Sequence, residues 1–468
     1  MFKKMFELSA FERIHTDVAR FLGKYTINDP TTPSLVENMT FPKSGLLKYG
    51  VKGFNPVPTN EDEVRAANCH ISVGNCIEKV QNHLKSPVKN WAATSLLQVI
   101  PAAGSDLNAY YDRASLRFFY YRHDGKNYYF GDSQDIVTHE LGHAILDAMR
   151  PDFWSVQSLE IWSFHEAFSD IVAMFNMMNY EIALAAALKE NNGDLRKSNV
   201  ISRLAEEVGV LISKISKDRT CLPNSLRDPA LENFKYIDPA SLPKDAPNNQ
   251  LAAECHSFGR VFSAAWYEIF VRIYEQQRSL KVDSLLAAKT ARDVSFSIMT
   301  QAIPNTGRVV DYFSNVAMAM VAVASSKGAT YAKIVKDVFV EWGFIKHEGI
   351  KALSDISWKG MARNLKKNDN VFKNSKITTV CVKGEKLMKA SELPIVSGLS
   401  LGGDFEIEVP NDKYYEFDNK GNLMAEIGPD ETYIKESAAA CLLGISNSIG
   451  KGKMWYIENN RLQRRFLA

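Results

Sequence analysis

Residues 135–149 read DIVTHELGHAILDAM, and residues 159–178 read LEIWSFHEAFSDIVAMFNMM. Both are long and apolar-rich, which predicts two consecutive helices, the first stopped by Pro151. The first carries His139-Glu140-Leu141-Gly142-His143. On a helix, positions i and i+4 share a face, so His139 and His143 can reach one metal ion. Glu140, one residue along, sits beside such an ion rather than on it, where a carboxylate can act as general base toward water. Gly142 costs helix propensity but is small enough for a close approach.

Catalytic zinc takes three protein ligands and keeps one position open. The second segment supplies candidates in His165, Glu166 and Asp170. Glu166 and Asp170 again stand at i and i+4, flanked by Ile161, Phe164, Phe168, Ile171 and Val172. Two carboxylates on so apolar a helix are costly to bury without partners. A metal for Glu166 and a histidine N–H for Asp170 satisfy both, and the competing interpretation is a solvated helix face. His165 points about 100° away from Glu166 around the helix. The carboxylate is therefore favoured as the third ligand, because Asp170 shares its face.

Working outward, residues 26–60 are rich in Pro, Gly and Thr and read as turns and short strands, and 61–85 as a helix. Ser95–Ile100, Leu107–Tyr111 and Leu116–Tyr121 read as strands, with a hairpin turn at His123–Lys126. Residues 182–215 and 251–345 continue the helical pattern on either side of a Pro-containing looped stretch. Beyond about residue 349, ITTVCV, DFEIEV, YYEFDNKGNLMAEI and KMWYIENNRLQRRF read as strands and hairpins. The expected class is α+β in three parts: a mixed N-terminal lobe (1–149) ending in the HELGH helix, a mainly helical lobe (150–348) and a β-rich C-terminal domain (349–468).

Lys+Arg (56) nearly balances Asp+Glu (54), for a net charge of +2, which argues against a nucleic-acid partner. No run of about 18 apolar residues exists, so no transmembrane helix is expected. Glu7, Glu12 and Arg13 interrupt the apolar core that a signal peptide needs, and the N-terminus reads as an amphipathic helix. The compartment stays open. Cys69, Cys76, Cys221, Cys255, Cys381 and Cys441 form no C-x-x-C pair, which favours free thiols over a disulfide framework.

The pair HELGH (139–143) and HEAFSD (165–170) resembles the HExxH and NEAxSD pair of the thermolysin-like zinc peptidases, with a slightly longer gap. The likeness covers about residues 60–345 and implies that family's two-lobed fold, with the β-rich region appended. It implies Glu166 as third zinc ligand, Asp170 as the residue that orients a ligand histidine, and Glu140 as general base. Leu107–Tyr111 is similar to the family's edge strand, on which Asn108 and Ala109 would hold an extended peptide. Ser225–Pro229 resembles the segment whose arginine, here Arg227, binds a substrate carbonyl. Cys255–Gly259 resembles the segment whose histidine, here His256, stabilises the oxyanion. Ile136 and Leu226 would line the pocket after the cleaved bond, favouring a bulky apolar residue there.

The chain also departs from the family. Leu251 stands where the family has the Asp that serves its catalytic histidine, which leaves Glu254 and Asn249 as candidates. Gln157 occupies the spacing of the catalytic Tyr. Asp135 matches a calcium ligand, but Met177 stands where a Glu is expected, so the double calcium site is doubtful. The expected function is a zinc endopeptidase acting on peptides or proteins. A zinc aminopeptidase is the first alternative, although no G-x-M-E-N loop is found. The second is a non-catalytic zinc-bearing module whose C-terminal domain docks onto a partner or surface.

Overall fold

The computed structural model describes residues 45–156, 158–307 and 311–345, with short segments at either end, chiefly strands. β1 (Gly23–Thr26) and β2 (Val36–Met39) form an antiparallel pair. Then come β3 (Tyr49–Val51), α1 (Glu61–Gln81), β4 (Leu97–Ile100), β5 (Ala109–Tyr111), β6 (Ser115–Phe118) and the hairpin β7 (Tyr120–His123) and β8 (Lys126–Tyr129). α2 (Gln134–Met149), α3 (Leu159–Met178), α4 (Glu181–Glu190) and α5 (Glu206–Ile215) follow, then α6 (Cys255–Ser279), α7 (Ser284–Ala302), α8 (Tyr312–Lys327) and α9 (Ala329–Glu341). The class is α+β, as expected.

Local chemistry accounts for several boundaries. Asn60 caps α1 by accepting from the Glu63 N–H at 3.0 Å, and the Glu63 carboxylate accepts in return from the Thr59 N–H at 2.7 Å. Asp124 and Gly125 both have positive φ (50° and 76°), the backbone a two-residue hairpin turn between β7 and β8 demands. β3, β4 and β6 pair in parallel, and β5 closes the sheet as an antiparallel edge strand in the order β3-β4-β6-β5. Leu97 and Val99 alternate inward from β4, as the period-2 pattern requires.

α3 is the centre of the core. It packs against α2 on one side and α6 on the other, with α8 also in contact. Nearly every side chain of α3 is buried, which accounts for a helix apolar all round. Among the described residues no single helix is long and apolar enough to cross a membrane; α3 and α4 pass that test only as a pair bent by 96°.

The sequence reading fails in two places. The strand expected over Leu116–Tyr121 is split at Phe119 into β6 and β7, which belong to different sheets. The helical pattern expected over 182–215 breaks between α4 and α5. Asn192 and Gly193 take positive φ (53° and 85°), and the Gly193 N–H donates to the Leu188 carbonyl at 2.7 Å, ending α4 in a tight cap.

The C-terminal strands are β9 (Val371–Asn374), β10 (Ile377–Val382), β11 (Glu385–Lys389), β12 (Glu406–Pro410), β13 (Lys413–Asp418), β14 (Leu423–Ile427), β15 (Trp455–Glu458) and β16 (Arg461–Arg464). They pair as two four-stranded sheets, β14-β13-β10-β9 and β11-β12-β16-β15, so the hairpins expected at 414–427 and 453–466 are present. The helix expected over residues 1–25 lies outside the described residues except for its last three, which fall in β1.

Candidate metal centre

α2 and α3 approach so closely that a Cβ on Gly142 would stand 2.7 Å from the Ser169 Cα. On the other flank, a Cβ on Gly259 of α6 would stand 2.8 Å from the Ser163 carbonyl oxygen and 3.0 Å from Glu166 Cβ. These two glycines bring three helices together at one level. That level holds His139, His143, Glu166 and His256.

The ligand atoms of His139, His143 and Glu166 all lie within 4.8 Å of one another. His139 Nε2 is 3.4 Å from Glu166 Oε2, and His143 Nε2 is 3.5 Å from Glu166 Oε1. Ligands bound at about 2.0–2.2 Å in a tetrahedron around zinc stand roughly 3.3–3.5 Å apart. The observed separations match that spacing and are long for charge-assisted hydrogen bonds. Glu166 Oε2 is buried and makes no well-formed hydrogen bond. A buried carboxylate oxygen in that state, facing two imidazoles, fits a divalent cation.

The site's groups titrate far from their ordinary values. Burial opposes protonation of His139, but Asp170 and Glu166 outweigh it and raise the imidazole to about 9. Burial holds His143 well below its ordinary value, neutral as a ligand must be. Burial also opposes the charge on Glu166, yet His256, His143 and His139 keep its carboxyl well below the usual range. Burial pushes Glu140 up to about 7, with Glu166 adding in the same direction. A carboxylate poised there is suited to general-base work.

The surrounding residues fix these groups. Asp170 Oδ1 lies 3.0 Å from His139 Nδ1 and accepts from Arg227 Nη2 at 2.7 Å and Nε at 3.2 Å. Arg227 therefore braces the residue that orients His139, with Nη1 outside those bonds. The Leu226 N–H bonds the Leu204 carbonyl, and Gly209 of α5 is packed against the Ser225–Leu226 backbone. His165 is 1% exposed and sits behind the site, stacked on His143 at 5.8 Å amid Phe153, Trp154 and Trp162. It takes no place in the three-ligand group.

The residue that orients His256 is Glu254. Its Oε1 lies 2.5 Å from His256 Nδ1, while its two oxygens also cap α6 through the His256 and Ser257 N–H groups. Leu251 is buried, and the Asn249 backbone N–H is bonded to Thr220 Oγ1 in the preceding loop. Arg260 pins that loop through the Asn248 and Gln250 carbonyls. His256 Nε2 points into the site, 3.5 Å from Glu166 Oε1, and its ring is about half exposed (48%). Burial works against its charge, but Glu166 and Glu254 outweigh it and raise the imidazole well above its ordinary value. The signal in the sequence was a carboxylate two residues before the histidine, at the N-cap.

Ala109 presents its backbone groups on the free side of the sheet's edge, and the carbonyl of Asn108 beside it is turned inward. The Asn108 carbonyl accepts from Phe119 and the Asp112 N–H donates to Ser115, so alternation turns the backbone groups of Ala109 away from β6. Ile136 and Leu226 are half-buried. Gln157 lies outside the described residues.

The acidic residues at the position of the doubtful calcium site have partners within the protein. The Asp135 carboxylate accepts from Ser133 Oγ, from the Ile136 N–H at 2.9 Å and from the Ala205 N–H at 2.5 Å. Met177 is buried in the apolar core, Glu206 is paired with Arg203, and Glu207 with Lys126. The Asp135–Ala205 hydrogen bond ties α2 to the start of α5, while the ion pairs hold Glu206 and Glu207.

No protein-family model matches the chain, and no curated protein matches it either.

Proposed function

We propose that this chain is a zinc endopeptidase of the thermolysin-like kind, with that family's two lobes and an appended β-rich C-terminal domain. The observation that carries the reading is the convergence of His139, His143 and Glu166 at ligand spacing, with buried Glu140 beside them. Zinc held by those three would polarise a scissile carbonyl and lower the pKa of water. An extended peptide would add to the edge of β5 along Asn108 and Ala109, a contact that reads main chain and so tolerates many sequences. Glu140 takes the proton of the attacking water on its carboxylate and passes it to the leaving amine. His256, held by Glu254, donates its Nε2–H toward the developing oxyanion. Arg227 offers Nη1 to a substrate carbonyl while its other nitrogens hold Asp170. Ile136 and Leu226 would favour a bulky apolar residue after the cleaved bond.

The test is mass-spectrometric mapping of cuts in a mixed peptide library by wild type and Glu140→Gln. Internal cuts, absent from the variant and abolished by a chelator, are expected. Stepwise loss of single N-terminal residues would replace the reading with an aminopeptidase. A folded, zinc-loaded protein that cuts nothing would make it a binding module.

A further inference from the structure

A cleft of about 550 Å³ lies between the end of α4, the second half of α6 and the start of α7. At 1.5 Å per residue, α6 carries Tyr274 of this cleft roughly 27 Å from His256, so the cleft is separate from the candidate metal centre. Tyr274 (4% exposed) and Leu188 (8%) form its floor. A Cβ on Gly193 would stand 3.3 Å from the Tyr274 hydroxyl, and the backbone there has a φ of 85°, so glycine keeps that side open. The charges around the cleft are unbalanced. Among the described residues its one acidic lining side chain is Glu275, and Arg196 occupies both of that carboxylate's oxygens at 2.9 and 2.8 Å. Asp283, which faces Arg278, is occupied in capping α7 through the Leu285 and Leu286 N–H groups. Arg278 Nη1 donates to the Val282 carbonyl at 2.5 Å, with Nε and Nη2 outside that bond. No carboxylate pairs with Lys189 among the described residues.

We propose that this cleft binds a small organic anion, with a carboxylate or phosphate head held by Lys189 and Arg278 and an apolar body laid against Leu188 and the Tyr274 ring. The lining offers two cations and a phenol O–H, while its one carboxylate is already paired, so donors exceed acceptors and an anionic head completes the set. The guanidinium fork suits a carboxylate or phosphate in particular. A bare inorganic ion would leave most of the volume and the apolar floor unfilled, whereas sites for small organic ligands hold about 300–1,000 Å³. The first N–H groups of α7 take no part, because Asp283 already satisfies them. Binding here is independent of the peptidase reading.

The probes are phenyl phosphate and phenylacetate, titrated calorimetrically into the full chain at low salt, where screening is weakest. At least one of them should bind at a single site per chain. Inorganic phosphate, which lacks the body, and benzyl alcohol, which lacks the charge, should each bind at least tenfold more weakly. Arg278→Gln and Lys189→Gln should each weaken the organic anion at least tenfold with Tm unchanged, since both side chains are exposed and their loss leaves the core intact. Binding of neither probe overturns the proposal, as does inorganic phosphate binding as tightly as phenyl phosphate. Affinity that survives in both variants places the ligand elsewhere, the metal centre included, and overturns it too. The readout is binding rather than cleavage, so a chain that cuts no peptide would count against the peptidase reading alone.

Discussion

Asp170→Asn tests the support of the proposed metal centre most directly. Asp170 is 2% exposed, and its Oδ1 serves both Arg227 and His139 Nδ1. The amide keeps the shape and one acceptor oxygen but removes the charge that Arg227 faces. Removing one partner of a buried ion pair costs about 3–5 kcal/mol, and the isosteric amide places this change near the lower end. A loss of ~3 kcal/mol lowers Tm by roughly 5–10 °C. Loosening a residue that orients a metal ligand also costs about 10–100-fold in metal affinity. Thermal unfolding and zinc competition against a chromophoric chelator read the two effects separately. Arg227→Gln should lower Tm too, and the double variant should lose less than the two single losses together, with a coupling of about 0.5–3 kcal/mol. Unchanged Tm and zinc affinity in Asp170→Asn, or strict additivity in the cycle, would refute the argument that these three side chains act as one unit.

Other perturbations follow from the same geometry. Gly142→Ala gains about 1 kcal/mol of helix propensity but drives a Cβ to 2.7 Å from the Ser169 backbone, so a net loss of ~1–3 kcal/mol is expected by denaturant unfolding; a more stable variant would sink the close-approach account. Glu160 is buried and pushed up to about 8 by that burial, although Tyr236 and the Phe313 N–H bond its carboxyl. Its folded value lies above its unfolded one, so its contribution is fully present below about pH 4.5 and is lost as pH rises through about 8. Glu160→Gln, which can keep both bonds, should flatten that decline in Tm between pH 5 and 8, and an unchanged slope would exclude Glu160 as its source. A calcium-selective chelator should leave Tm in place, since hydrogen bonds already satisfy Asp135, whereas a zinc-binding chelator should lower it; a marked drop with the first would show that calcium does bind.

Local spacing alone determined much of this protein. Helical periodicity placed His139 with His143 on one face of α2, and Glu166 with Asp170 on one face of α3, because positions i and i+4 coincide on any α-helix. Alternation and turn residues located the β7–β8 hairpin and the C-terminal strands for the same reason. Other features depended on contacts between segments distant in the chain. The α2 and α3 faces meet because Gly142 lets the helices touch, and α6 joins them through Gly259. Choosing Glu254 over Asn249 required knowing where α6 begins and how Arg260 holds the loop before it. Arg227 could be matched to a motif, but its grip on Asp170 spans 57 residues of sequence and emerges only when the two segments pack together. Periodicity fixes which side chains share a face; only close packing decides which faces meet.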